Sequence, residues 1–219
     1  MIKYYDFSYD SKFWEYHIVS NLVIKNTPFP NGKVLALAAG FESVSTALYL
    51  CGFNVLHTDI DLKKCNLVEM YGKISTNVNV LQEDMVTLTN VGNGYDTVYH
   101  ISSFEHLNQE QRIICLDNSI RILKPGGLMI FTGDAILVGA TVNKDKERVA
   151  DRITMLDIQD ILKYFSDKGC KPLGEIQKDS FESWAEKYKT RLFMRTLNWP
   201  GTIHDGDVLV PVLFAYRTP

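Results

Sequence analysis

The sequence predicts a doubly wound α/β domain: a mostly parallel sheet, helices on both faces, and an antiparallel C-terminal hairpin. Three observations predict it. From residue 33 onward, short apolar runs alternate with segments of helical periodicity. The runs, such as KVLALA and FNVLH, are continuous rather than alternating, as suits strands covered on both faces. The last two strand-like runs, KPLGEI and DVLVPVLFAY, lack a clear helical crossover, which suits an antiparallel pair at the sheet edge.

Residues 11–25 form the first helix in this reading, with Phe13, Trp14, His17, Ile18, Leu22 and Val23 at helical spacing. NTPFPNG ends it with two prolines and a glycine. KVLALA is the first strand. After Gly40, the stripe Val44, Ala47, Leu48 and Cys51 marks a helix closed by Gly52. FNVLHTDID, VNVLQED and YDTVYHISSF are strands two to four, and the helix LKKCNLVEMYG lies between strands two and three. Asn108 suits the cap of a helix carrying Ile113, Leu116, Ile120 and Leu123. KPGG turns the chain into LMIFTG, the fifth strand. TMLD, at 154–157, has a capping pattern ahead of Ile158, Ile161, Leu162 and Phe165. Segments 134–153 and 180–206 show no clear periodicity.

No linker divides the 219 residues, so one domain is expected. Residues 1–30 read as an N-terminal helical extension, either packed on the sheet edge or forming a lid. Residues 31–133 are the core, and 134–219 the remaining strands and their insertions. A net charge of −3 argues against a nucleic-acid partner. No apolar run reaches the length of a membrane span, and the N-terminus lacks the apolar core of a signal peptide. The four cysteines are far apart and suit buried positions in a reducing compartment, so a cytoplasmic protein is expected.

A doubly wound sheet binds ligands at the carboxyl ends of its strands. The residues there are Ala38, Gly40, Phe41 and Glu42 after strand one, and Asp59, Ile60 and Asp61 after strand two. Asp84 and Met85 follow strand three, His100 and Ile101 end strand four, and Asp134 follows strand five. Asp59 stands 19 residues beyond Gly40, where a carboxylate can accept both hydroxyls of a ribose. Capping of the next helix is the alternative; Asp61 fits that role and leaves Asp59 free. Asp84 either accepts from an exocyclic amine such as that of adenine or is a solvated loop acid.

Taken in order, VLALAAG, VLHTDID, LQEDM, YDTVYHISSFEHL and LKPGGLMIF resemble the class I S-adenosylmethionine-dependent methyltransferases, across residues 33–132. The resemblance implies a seven-stranded sheet with an antiparallel last strand, S-adenosylmethionine as cofactor, and a small-molecule acceptor methylated on oxygen or nitrogen. It departs from the family at the first loop. The usual acid and glycines are replaced by Ala36, Ala38 and Glu42, and only Gly40 remains. Alanine substitutes for glycine readily where φ is negative. Glu42 either sits at a helix start, where the dipole favours it, or meets the cofactor's ammonium. A pyrophosphate beside Glu42 would be repelled, which disfavours a nicotinamide dinucleotide.

Methyl transfer from a sulfonium needs alignment and exclusion of water, with a base where the acceptor must lose a proton. Candidate bases are His100, Asp134 and His204; His106 suits a structural role at the next helix. The motif HDGD at 204–207 makes an ordinary turn, and no metal is expected. Two other functions fit the sequence less fully: a non-catalytic binding protein with a decayed cofactor loop, and a nicotinamide-dependent oxidoreductase. Oligomeric state leaves no mark on the sequence.

Overall fold

The computed structural model describes residues 11–61, 78–137, 153–174 and 208–219. Helix α1 spans Ser11–Asn26, β1 Lys33–Leu37, α2 Val44–Leu50, β2 Asn54–Asp59, β3 Asn79–Gln82 and β4 Tyr95–Ile101. A 3₁₀ turn covers Phe104–His106, then come α3 Gln109–Ile122, β5 Leu123–Leu137, α4 Met155–Asp167, β6 Lys171–Pro172 and β7 Val208–Arg217. The seven strands form one sheet in the order β3-β2-β1-β4-β5-β7-β6. Strands β1 to β5 pair in parallel, and β7 runs antiparallel to both β5 and β6. Chain order reverses between β1 and β4, which opens a crevice at their carboxyl ends.

Both faces of the sheet are buried. Leu35, Leu37, Val98, Met129 and Phe131 meet Phe104, Leu116 and Phe165 on one side. Val34, Ala36, Tyr99, Leu128 and Ile130 meet Val19, Val23, Val44 and Leu48 on the other. That double coverage is why the strands read as unbroken apolar runs.

The antiparallel pair stands at the sheet edge as expected, with β7 beside β5 and the short β6 outermost. Two expectations are corrected. Strand β5 does not stop at Gly133 but runs on to Leu137 along β7, so Asp134 lies inside the strand rather than after it. The buried stripe of α1 is Glu15, Val19 and Val23, with Trp14, Ile18 and Leu22 only half-buried and His17 exposed. The helix LKKCNLVEMYG, most of the segment 134–153 and the stretch 180–206 lie outside the described residues.

Helices α3 and α4 both begin with reciprocal caps. Asn108 and Gln111 exchange side-chain and backbone bonds at 2.9 and 3.0 Å, and Thr154 and Asp157 do so at 3.2 and 2.8 Å. Asp157 has a second task. Its other oxygen meets the buried guanidinium of Arg112 at 3.0 Å, while Arg112 also donates to the carbonyls of Phe104 and Glu105. One buried arginine thus fixes the 3₁₀ turn and α4 against α3. Removing one partner leaves a buried charge uncompensated. Asp157→Ala is therefore expected to cost about 3–5 kcal/mol in chemical denaturation. Lys163→Ala, which breaks the exposed Lys163–Asp167 pair, should stay within about 0.5 kcal/mol.

Candidate functional site

The crevice is built first from the β1–α2 loop. β1 ends at Leu37, and the next residues are pinned to β2 by the Ala39 N–H, which donates to the Thr58 carbonyl at 2.8 Å. Gly40 then donates to Asp59 Oδ2 at 3.0 Å. Ala38 and Gly40 both have positive φ, 46° and 50°. The alanine at 38 therefore does not occupy an easy negative-φ position, as the sequence reading assumed. It carries a left-handed backbone at a cost of roughly 1–2 kcal/mol.

Asp59, 8% exposed, is not a free carboxylate. Oδ2 accepts from Gly40 and Oδ1 from the Asp61 N–H at 2.9 Å, while its carbonyl accepts from Glu83 N–H at 3.0 Å. One side chain thus ties together the loops after β1 and β2, and its backbone reaches the end of β3. Each oxygen retains capacity for a second donor. Beside it the apolar side chains of Phe41 and Ile60 stand 64% and 63% exposed. Asp84 accepts from the Val86 N–H at 2.8 Å with Oδ1. The Met85 side chain is buried in the cluster beneath. The buried acid Glu83 holds this loop shut, accepting from Asn90 N–H at 2.6 Å and from Thr89.

Glu42 takes the helix-start role, the first of its two expected readings. It is buried, and its carboxylate accepts from the backbone N–H groups of Val44 and Ser45 at the start of α2 and from Tyr99 Oη at 2.8 Å. Ser45 in turn shares a 2.7 Å bond with His57 Nδ1. Glu42 therefore caps α2 instead of facing a ligand's ammonium. Burial pushes its carboxyl up to about 6, against the lowering pull of those donors. The amides that a phosphate would need at this helix start are already taken.

At the far side, β4 and β5 hold the remaining candidates. His100 is buried between Phe104 and Phe131, with ring centroids 5.4 and 5.0 Å away. Burial lowers its imidazole to about 3, so it is neutral and enclosed, unlike the cleft-facing base that the sequence suggested. Ile101 is half-buried against the α1 side of the core. Ser102 follows with φ 47° and donates to Glu15 Oε2 at 2.6 Å; Thr132 donates to the same oxygen at 2.6 Å. Glu105, also buried, accepts from the Asp134 N–H at 3.4 Å. Glu15 and Glu105 were not singled out: Glu15 lies in no motif, and Glu105, inside YDTVYHISSFEHL, carries no local signal of its burial. His204 lies outside the described residues. Among the described residues no three His, Cys, Asp or Glu side chains are grouped to hold a metal ion. No described helix is long and apolar enough to cross a membrane.

Residues 35–131 match the family described as a methyltransferase domain. No curated protein sequence matches the chain. Solved structures share its fold. The magnesium protoporphyrin IX methyltransferase of Synechocystis PCC 6803, with S-adenosylhomocysteine bound, is 15% identical at a TM-score of 0.60, over 93% of this chain and 82% of that one. An S-adenosylmethionine-dependent methyltransferase from Clostridium acetobutylicum is 13% identical at 0.61, over 95% and 92%. The [4+2]-cyclase SpnF is 15% identical at 0.62, over 92% and 81%. Residues 35–131 thus resemble a methyltransferase domain, and the fold is the one seen in solved S-adenosylmethionine-dependent methyltransferases.

The site residues fit S-adenosylmethionine. Asp59 keeps acceptor capacity at the end of β2, two exposed apolar side chains flank it, and the α2 start is closed to phosphate by Glu42.

Glu105 gives this end of the site a pH signature. Burial raises its carboxyl from the ordinary 4.5 to about 7, helped by Asp134 and opposed by Lys12 and by backbone hydrogen bonds. A raised acid contributes stability that is complete below the unfolded value and is lost as pH rises through the folded one. Between pH 4.5 and 7 Glu105 should thus withdraw roughly 3 kcal/mol, with Glu42 adding in the same direction up to about pH 6. Thermal unfolding across that range tests this: Glu105→Gln should flatten the decline, and an unchanged slope would count against the assignment.

Proposed function

We propose that this protein transfers the methyl group of S-adenosylmethionine to an oxygen or nitrogen of a small molecule bound at the carboxyl ends of β4 and β5. The single observation that carries the reading is the Asp59 carboxylate, fixed by Gly40 and Asp61 at the switch point with acceptor capacity to spare. In this reading Asp59 accepts from the ribose hydroxyls, and Asp84 accepts from the exocyclic amine of adenine with the oxygen not used by Val86. Phe41 and Ile60 cover the adenosine, Gly40 and Ala38 shape the loop, and Ile101 lines the floor beyond. The bound cofactor supplies an electrophilic methyl group.

The chain itself supplies alignment and a dry site. His100 is set aside as base, because it is enclosed and held neutral well below its usual range. Asp134 stays a candidate to hold the acceptor's proton, with Glu105 beside it. His204 is a further candidate by sequence only.

A second reading keeps the fold without methyl transfer. Ala36, buried where the family has an acid, favours it, and the fold of SpnF is described for a cyclase. The nicotinamide reading is weakened by Glu42, which occupies the helix start that a pyrophosphate would need.

Calorimetry with S-adenosylhomocysteine tests the proposal. The wild type should bind it, and Asp59→Ala should weaken binding at least about tenfold through loss of charge-assisted bonds. Unchanged affinity in the variant, or tighter binding of NADH than of S-adenosylhomocysteine, would refute it.

A further inference from the structure

Seven buried side-chain polar atoms lack a hydrogen-bond partner among the described residues, and five belong to residues on or beside the carboxyl ends of β4 and β5. They are Glu15 Oε1, both nitrogens of His100, Ser103 Oγ and Glu105 Oε2. Native proteins leave few such atoms unsatisfied, so a cluster of them marks a place for a ligand.

The strand pairing shows why the place exists. β4 ends at Ile101, paired with Thr132, while β5 runs on to Leu137. The next partner on β5 beyond that point is Ile153, which bridges Ala135 and donates to the Asp134 carbonyl. Between them the sheet has a gap at Gly133 and Asp134. Two carboxylates flank it from opposite faces. Glu15, from α1, accepts from Thr132 Oγ1 at 2.6 Å. Glu105, from the 3₁₀ turn, lies over Gly133, where an added Cβ would come within 2.9 Å of Oε2. Their side chains are 0% and 2% exposed, and each keeps one oxygen without a hydrogen bond among the described residues.

The charge of the gap is negative. Besides the two glutamates it holds Asp134, and among the described residues the cation beside it is Lys12, with Nζ 3.6 Å from Glu15 Oε1. That distance is too long for a hydrogen bond, and the lysine is 43% exposed. An ammonium that approaches Glu15 loosely and can swing into solvent behaves as a displaceable substitute for a ligand cation.

We propose that the gap between β4 and Ile153 is a seat for a cationic amine of the methyl acceptor, received by Glu15 Oε1 and Glu105 Oε2. The inference rests on the methyl-transfer reading above and narrows its acceptor to amine-bearing small molecules. A neutral acceptor would leave both carboxylates unanswered in a buried site, and a phosphorylated or carboxylated end would be repelled from them.

The test uses the full chain saturated with S-adenosylhomocysteine, probed by calorimetry and amide chemical shifts. Methylammonium and benzylammonium are the probes, and methanol and benzyl alcohol their neutral counterparts. The ammonium probes should bind and the alcohols should not, with shifts centred on Gly133 and Asp134. Glu15→Gln and Glu105→Gln should each weaken the ammonium probes at least about tenfold while leaving S-adenosylhomocysteine binding within about threefold. Glu15→Gln retains an acceptor for Ser102 and Thr132. Should it unfold, Lys12→Met replaces it as the test, and it should tighten the probes by removing the competing ammonium. Equal binding of ammonium and alcohol would overturn the proposal. So would loss of S-adenosylhomocysteine affinity in the variants without any ammonium binding, since the carboxylates would then serve the cofactor. If the wild type binds no S-adenosylhomocysteine, the cofactor reading fails, and the same probes on the unloaded protein still decide the seat.

Discussion

The carboxylate of Asp59 is the constraint on which the site depends. It stands at the end of β2, yet it accepts the N–H of Gly40 from the neighbouring loop and that of Asp61 from its own. Two backbone donors in a buried place need an anion or a carbonyl between them. With the carboxylate present, the β1–α2 loop is held in left-handed conformations at Ala38 and Gly40, on either side of Ala39. That conformation is costly for alanine, and the surrounding bonds from Ala39 to Thr58 and from Gly40 to Asp59 maintain it.

A second carboxylate completes the loop with the opposite character. Asp59 accepts one backbone bond at each oxygen and keeps acceptor capacity at both. Glu42 is closed, its oxygens taken by Val44, Ser45 and Tyr99. The sequence places two acids within 17 residues of each other around the same loop, but their surroundings leave acceptor capacity on one and close the other into a helix cap. This distinction separates a loop suited to an uncharged adenosine from one suited to a pyrophosphate. At the other end of the crevice, α1 is fastened to β4 and β5 through Glu15. The N-terminal helix is therefore tied to the carboxyl ends of β4 and β5 and is more than a cover for the sheet edge.

Much of this was legible in the sequence. Continuous apolar runs gave the strands, because both faces of the sheet are covered, and the spacing from Gly40 to Asp59 marked the switch point. Local signals also gave the caps at Asn108 and Thr154. What could not be read depends on contacts far apart in the chain. Glu15 meets Thr132 across 117 positions and is one acid among apolar neighbours in α1. Glu105 gains its role from β5 passing over it at Gly133. His100 was misplaced because a strand buried on both faces has no alternation to show which side chains face the cleft. The face of α1 shifted for a related reason: a fully buried glutamate occupies a position that periodicity reads as polar and outward.

The central claim is that Asp59 presents a carboxylate to the cofactor while still holding Gly40 and Asp61. A titration of ¹⁵N-labelled protein with S-adenosylhomocysteine tests it most directly. The account predicts that the Gly40 and Asp61 amides shift together, along one binding curve, while Val44 and Ser45, held by Glu42, move little. Saturation with S-adenosylhomocysteine that leaves Gly40 and Asp61 unmoved would contradict it, as would a titration in which Val44 and Ser45 respond instead.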